Sequence, residues 1–404
     1  MKSPAPGVRF SDDYRTVPEG RIIEMLLLAG WAYEQDNPEA RAATRRALDN
    51  WTGMGLGVRL DATGERLFDP VEVANILKRL GLEGRDSFWI DRYVNTGRRL
   101  VTDLSSRAGP NYIVNFSRTF SLRSVPVGRN LRLRVPLPLS SVHGEQLDVA
   151  PFIEGSAAGL TITPGRLEAR LTAAGEHTVT VGAKLTFTRA HLMSPASPSE
   201  FSSYLKPREG LVVITNRINE LAHALTGPSA NARSVVLAFW NYLLDDLACG
   251  AIHYDQIRAD SPCDFALETG WYDCQLGSAL FIALCRARGI PARLVGGHVL
   301  YRPAPTNHYW AEVWFEESGW TPFDFLSWDL SHGGRDSDWR GHFYGRIDDR
   351  MITQLFPFEF TGALGVAMPS AWHIIQTAKD DGVEISFVGL DGRPVYSDFV
   401  SISD

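Results

Sequence analysis

The chain is poor in cysteine. Its 404 residues include four, at positions 249, 263, 274 and 285, with no CxxC spacing. That excludes a disulfide framework and a cysteine-rich zinc ribbon. Cys274 and Cys285 fall near one helical face, but they lie about 16 Å apart along a helix axis, too far to bridge. Free thiols suit a reducing cytoplasm, which is the expected location. Excess basic charge is also missing. Forty Lys and Arg stand against 47 Asp and Glu, giving a net charge of −7. Without a dense basic run, nucleic-acid binding is not expected. Long apolar runs are absent too. The opening Met-Lys-Ser-Pro-Ala-Pro-Gly lacks a signal-peptide core, and Glu24 interrupts the apolar stretch from Ile22 to Leu28, which is too short to span a bilayer. No membrane partner is expected.

Phosphate-cradling and dinucleotide loops and an HExxH helix are missing. The ten histidines lack zinc-site spacing. Asp336, Asp338, Asp348 and Asp349 lack the spacing and central glycine of an EF-hand and read as solvated loop charges. No cofactor or metal is expected.

What the chain does have is size and a change of pattern along its length. Its 44% hydrophobic content supports a large core in two or three domains. Residues 1–108 read as mainly helical, with helix-compatible stretches at Ile22–Tyr33, Pro38–Trp51, Pro70–Leu80 and Asp86–Leu104. From 109 to 193 the period becomes two. Leu131, Leu133 and Val135 alternate with Arg132 and Arg134, and Val179, Val181, Ala183, Leu185 and Phe187 repeat the pattern. This predicts an antiparallel β-sandwich. Residues 194–200, rich in Ser and Pro, read as a linker. Residues 205–404 are assigned to one α+β unit that includes strand-like pieces near the C-terminus.

Chemistry concentrates in that last unit. Leu276, Ala279, Leu280, Ala283, Leu284 and Ala287 recur at helical spacing. Asp273 is placed to cap the helix, and Gly289 with Pro291 ends it. Cys274 then occupies the first helical position, where unpaired N–H groups favour a thiolate and a developing oxyanion. Asp273 opposes that effect, so an imidazole must supply much of the activation.

His308 opens a strand on which His308, Trp310, Glu312 and Trp314 share one face. Residues 320–325 read as the returning strand. A hairpin centred on residue 316 puts Asp324 opposite His308, close enough to orient the ring. The turn signal ends at Gly319, slightly past that centre, so a bulge or longer loop is required. Glu312 and His298 are the fallback carboxylate and base. A thiol, an imidazole and a carboxylate are the parts of a nucleophilic cysteine enzyme.

Three segments resemble the transglutaminase-like superfamily, relatives of papain-type cysteine enzymes. They are the Cys274 helix ending in Gly-Ile-Pro-Ala-Arg293, the strand His308-Tyr-Trp310-Ala-Glu312-Val, and Gly-Trp-Thr-Pro-Phe-Asp324. The resemblance implies an α+β, papain-like catalytic core preceded by a β-sandwich and an N-terminal helical region. It implies that Cys274 is the nucleophile, His308 the general base and then acid, and Asp324 the orienter. Gln275 and Leu276 depart from the more polar run expected after the nucleophile.

The expected reaction is acyl transfer through a thioester, with the Cys274 N–H as one oxyanion donor. Trp271, Tyr254, Asn307 and Trp310 are candidates for further oxyanion or substrate contacts. The expected partners are an acyl donor (a carrier-protein thioester, or a peptide or protein glutamine) and an amine acceptor or water. Amide-bond formation is preferred. Hydrolysis by a peptidase or amidase, and a non-catalytic scaffold, are the alternatives.

Overall fold

A computed structural model describes residues 16–28, 37–69, 72–73, 75–76, 111–139, 145–156, 159–163, 165–188, 201–228, 230–250, 252, 257–300, 305–325, 341, 343–345, 350–355, 371–379, 382–389 and 394–403. The proposed linker at 194–200, the stretch at 86–104, Tyr254 and the four loop aspartates lie outside the described residues.

The N-terminal region contains α1 (Glu19–Leu28) and α2 (Pro38–Gly53). Asn37 caps α2 through its side chain, which accepts the Ala40 N–H, and Pro38 sits where its missing N–H costs nothing. Trp51 is buried in this small core. The mainly helical reading omits one feature. Residues 17–18, 66–68 and 59–60 pair as a short three-stranded sheet. These strands are too short to show a period of two.

The sandwich is built from β1 (Asn111–Ser121), β2 (Asn130–Pro136), β3 (Glu145–Glu154), β4 (Gly159–Thr163), β5 (Arg166–Thr172) and β6 (Thr178–Thr188). Strands β2, β5 and β4 form one sheet. Its inward residues Leu133, Val135, Leu167, Ala169 and Leu171 pack against Val114, Phe116, Val179, Val181, Ala183 and Leu185 of the other. Arg132 and Arg134 point outward, half exposed, and form ion pairs with Glu168 on β5.

Four helices follow: α3 (Asn216–Leu225), α4 (Ala232–Asp246), α5 (Pro262–Thr269) and α6 (Cys274–Ala287). They cover a four-stranded antiparallel sheet of β7 (Ala292–Val299), β8 (Thr306–Phe315), β9 (Gly319–Phe323) and β10 (Arg350–Leu355), in the order β9-β8-β7-β10. The architecture is α+β.

The α6 helix is more enclosed than its apolar stripe predicts. Every residue from Gln275 to Arg286 is buried, so it is a core helix and not a surface one. Each fully buried Leu, Ile or Phe in it contributes roughly 1.5–3 kcal/mol. Its end is closed by Ile290 N–H to Cys285 O and Gly289 N–H to Arg286 O, with Gly289 at φ +70°. Arg286 does more than complement the helix dipole. Its Nε and one terminal nitrogen donate to Ala292 O at 2.9 and 2.7 Å, and its other terminal nitrogen reaches Glu209 at 3.2 Å. It ties the helix to the first residue of β7.

The C-terminal strands require a correction. Strands β11 (Ala371–Lys379), β12 (Gly382–Gly389) and β13 (Pro394–Ser403) do not join the helix-covered sheet. β13 pairs with β1, from Tyr396↔Phe120 to Ser403↔Ile113, and extends the larger sandwich sheet to β11-β12-β13-β1-β6-β3. The pairing is locked by Arg118, whose guanidinium donates to both oxygens of buried Asp398 at 2.6 and 2.8 Å. The sandwich therefore uses both ends of the chain around the helix-covered unit.

Gly277 lies in the first turn of α6, where a Cβ would run into the ring of Tyr272, itself 1% exposed. Alanine ordinarily gains about 1 kcal/mol over glycine in a helix. Here overpacking costs about 1–3 kcal/mol, so we expect Gly277→Ala to lower the thermal midpoint. A midpoint at or above wild type contradicts this packing.

Candidate active site

The thiol stands at the N-terminus of α6 because Asp273 stops the chain there. Its backbone is extended, and Oδ1 accepts the Gln275 and Leu276 N–H groups at 3.1 and 2.8 Å. This is an N-cap. It withdraws two first-turn donors from the thiol and leaves the Cys274 N–H outside the cap. The Cys274 side chain is partly exposed. The backbone N–H of Tyr309, the residue after His308, acts on the thiol as the influence that lowers its pKa.

β9 ends at Phe323, paired with Ala311, so its pairing with β8 stops short of residues 306–310. Strand N–H groups lie in the plane of the sheet. The Tyr309 N–H that acts on the thiol belongs to this stretch of β8.

On β8, Tyr309, Ala311, Val313 and Phe315 pack into the helix layer, while His308 and Trp310 take the other face. His308 is 2% exposed, and its Nε2 lies 2.9 Å from each oxygen of fully buried Asp324. The Nε2–H donates to the carboxylate, which leaves Nδ1 as the nitrogen available to a reacting group.

The hairpin register corrects the expectation. Phe315 pairs with Gly319 and Trp314 with Trp320, so the hairpin centres on residue 317 and not 316. The loop at 316–318 closes into Gly319 at φ +68°, a conformation that favours glycine. Asp324 follows the strand and reaches His308 diagonally. The site survives because opposed positions in a hairpin change by two residues when its centre moves by one, which preserves the face. Asp324 is held by its neighbours. Phe323 and Phe325, each 1% exposed, pack on Trp240 and on Phe281 of α6, with ring centroids 4.8–6.0 Å apart.

No local pattern singled out Arg350, the first residue of β10. It is fully buried, and a terminal nitrogen lies 2.5 Å from Asp324 Oδ2. Its guanidinium carbon stands 5.1 Å from the centre of the Trp310 ring. An arginine before an apolar run was visible, but nothing local says which carboxylate it meets.

The thiol's electrostatics run against the helix-terminus expectation. Burial is the largest influence and pushes the Cys274 thiol well above its ordinary value. Asp273 raises it further, the Tyr309 N–H opposes, and Cys249 and Asp324 add smaller upward effects. The resting side chain is therefore a neutral thiol.

The remaining candidates are placed as follows. Trp271 is half-buried, its ring and the side-chain oxygen of Asn75 packing against Gly250. The N-terminal region thus touches the segment leading to the thiol. Asn307 donates to Gly297 O at 3.4 Å. Trp310 is wholly buried beneath His308, their rings 6.3 Å apart and 27° from parallel, and serves as a wall. Neither fallback joins the site. Glu312 is engaged by Arg293 at 2.7 and 2.8 Å. His298 faces the sandwich, with its ring 4.9 Å from that of Phe116. Burial lowers its pKa to about 4. Among the described residues no group of His, Cys, Asp or Glu could hold a metal ion, and no helix is long and apolar enough to cross a membrane.

Comparison with known proteins matches residues 219–325 to the core model of the transglutaminase-like superfamily. No curated protein matches the sequence. Two solved structures align over much of the chain. One is a candidate cysteine protease from Cytophaga hutchinsonii, 14% identical, covering 73% of this chain and 88% of that one, with a TM-score of 0.44. The other is the periplasmic domain of TgpA from Pseudomonas aeruginosa, 17% identical, covering 59% and 95%, with a TM-score of 0.29. At those scores they add no weight beyond the family match. Residues 219–325, which hold Cys274, His308 and Asp324, belong to the transglutaminase-like superfamily.

Proposed function

We propose that this chain is a cysteine-dependent acyltransferase that forms amide bonds through a thioester acyl-enzyme. One observation carries the reading. The His308 ring is engaged at Nε2 by buried Asp324, on the strand whose next N–H, that of Tyr309, acts on the Cys274 thiol. A thiol, its base and the base's orienter are the parts of this chemistry.

In the proposed cycle His308 Nδ1 takes the thiol proton as the sulfur attacks an acyl carbonyl. The carbonyl electrons move to oxygen, and the Cys274 N–H stabilises the oxyanion. The intermediate then collapses. The bond to the leaving amine or thiol breaks, and His308 returns the proton to it. An amine acceptor next attacks the Cys274 thioester, giving up a proton to His308. The amide leaves as the thiol is restored.

The raised thiol pKa favours deprotonation in step with attack. The donor is an acyl-carrier thioester or a glutaminyl side chain, and a cytoplasmic setting with free thiols is part of the same proposal. Hydrolysis is the competing reading, and the product distinguishes the two.

Two tests follow. Wild type and Cys274→Ala are incubated with panels of acyl-pantetheine thioesters and glutaminyl peptides, with and without primary amines. We expect an acyl adduct by intact mass on wild type alone, and amide product when amine is present. Free acid alone, undiminished by amine, points to a hydrolase, and equal turnover by the alanine variant contradicts a cysteine mechanism. Separately, Cys274 alkylation by iodoacetamide is followed against pH. A neutral resting thiol predicts a rate that climbs from pH 6 to beyond 9. A rate already level across that range shows a preformed thiolate.

A further inference from the structure

We propose that Arg350 is a positioning residue for the His308–Asp324 pair, holding the carboxylate in place and balancing its buried charge. The inference rests on the acyl-transfer reading of Cys274 and His308, and it adds a residue outside the segment matched to the family.

The geometry sets Arg350 apart from an ordinary structural ion pair. Both partners are fully buried, and the guanidinium meets the same carboxylate that holds His308 Nε2. Arg350 is also carried on a different strand from its partners. β10 joins β7 with Arg350 opposite Val299, and β7 joins β8 with Gly297 opposite His308. The Trp310 ring lies near both the guanidinium and the imidazole, which restricts where each can move.

Charge counting gives the consequence. A buried carboxylate facing a neutral imidazole carries one uncompensated negative charge, a costly arrangement. Protonating the ring would relieve it, and the base would then be occupied before reaction. With Arg350 present, carboxylate and guanidinium already sum to zero. A proton added to the ring would then meet the guanidinium's like charge, so Arg350 opposes early protonation of the base. The ion pair with Asp324 is the route by which Arg350 acts on the base.

The test uses p-nitrophenyl acetate as a minimal acyl donor, which releases p-nitrophenolate as it acetylates the thiol. Acylation is followed against pH by absorbance, and intact mass identifies the acetyl adduct. In Arg350→Gln the acid-side loss of acylation should move upward by about one to two pH units, the size expected when a nearby like charge is removed. Arg350→Lys, which keeps the charge, should hold that limb near its wild-type position while acylating more slowly. An Arg350→Gln limb that coincides with wild type, at whatever overall rate, overturns the proposal.

The double variant Asp324→Asn/Arg350→Gln carries neither buried charge and supplies the second readout. If Arg350 works through Asp324, then above the acid limb, where repulsion between guanidinium and imidazolium plays no part, Asp324→Asn and the double variant should acylate within about twofold of each other. A further large loss in the double variant contradicts the inference. Absence of an acetyl adduct on wild-type Cys274 overturns the acyl-transfer reading and the Arg350 role together. A wild-type adduct with an unmoved limb in Arg350→Gln overturns the Arg350 role alone.

Discussion

A carboxylate with no access to solvent must be matched by the protein around it. Asp324 is such a group, and most of the site's geometry serves that requirement. Its oxygens accept from His308 on β8 and Arg350 on β10, while Phe323 and Phe325 on either side anchor it to α4 and α6. Removing either partner leaves a charge in a low-dielectric setting, where the loss is several times that of a surface pair. The three-residue hairpin loop, the positive φ at Gly319 and the aromatic layer converge on one outcome. Asp324 is placed one step past the end of β9, on the imidazole's face.

The sandwich is structurally continuous with this unit. Leu300, just past β7, and Met351 of β10 bury themselves in the sandwich core alongside Ile385 and Val400 from the last strands. His298 points the same way, onto Phe116. Strand β10 therefore has two duties. One residue, Arg350, faces the site, and the next, Met351, is core of the neighbouring layer. Movement of the sandwich against the sheet would be felt at Asp324 through that strand.

Much of this was legible in the chain itself. Asp273 and the Gly289–Pro291 pair bound α6 because caps and stops are local chemistry, readable within a few residues. The His308 face was readable because strand periodicity is local too. The hairpin centre was misplaced by one residue. Turn residues indicate a reversal but leave open how many of them form the loop, and parity of the strand faces kept the site assignment intact. Pairings over long separations were not legible. Alternation at 394–403 announces a strand without naming its partner, and Asp398 meets Arg118 across 280 residues. Arg350 belongs to the same class, since its role exists only once β10, β7, β8 and β9 lie side by side. At Cys274 the helix terminus and the opposing Asp273 can be read from sequence, but the burial that outweighs both cannot.

The most direct test of the account is a crystal structure of the acyl-enzyme, trapped with a slowly released acyl group. The account predicts the acyl carbon on Cys274 Sγ, its carbonyl oxygen on the Cys274 N–H, and His308 Nδ1 turned toward the thioester within hydrogen-bond reach, about 3 Å directly or through one water. An acyl group on another residue, or His308 Nδ1 directed away from the sulfur and bonded elsewhere, would contradict it.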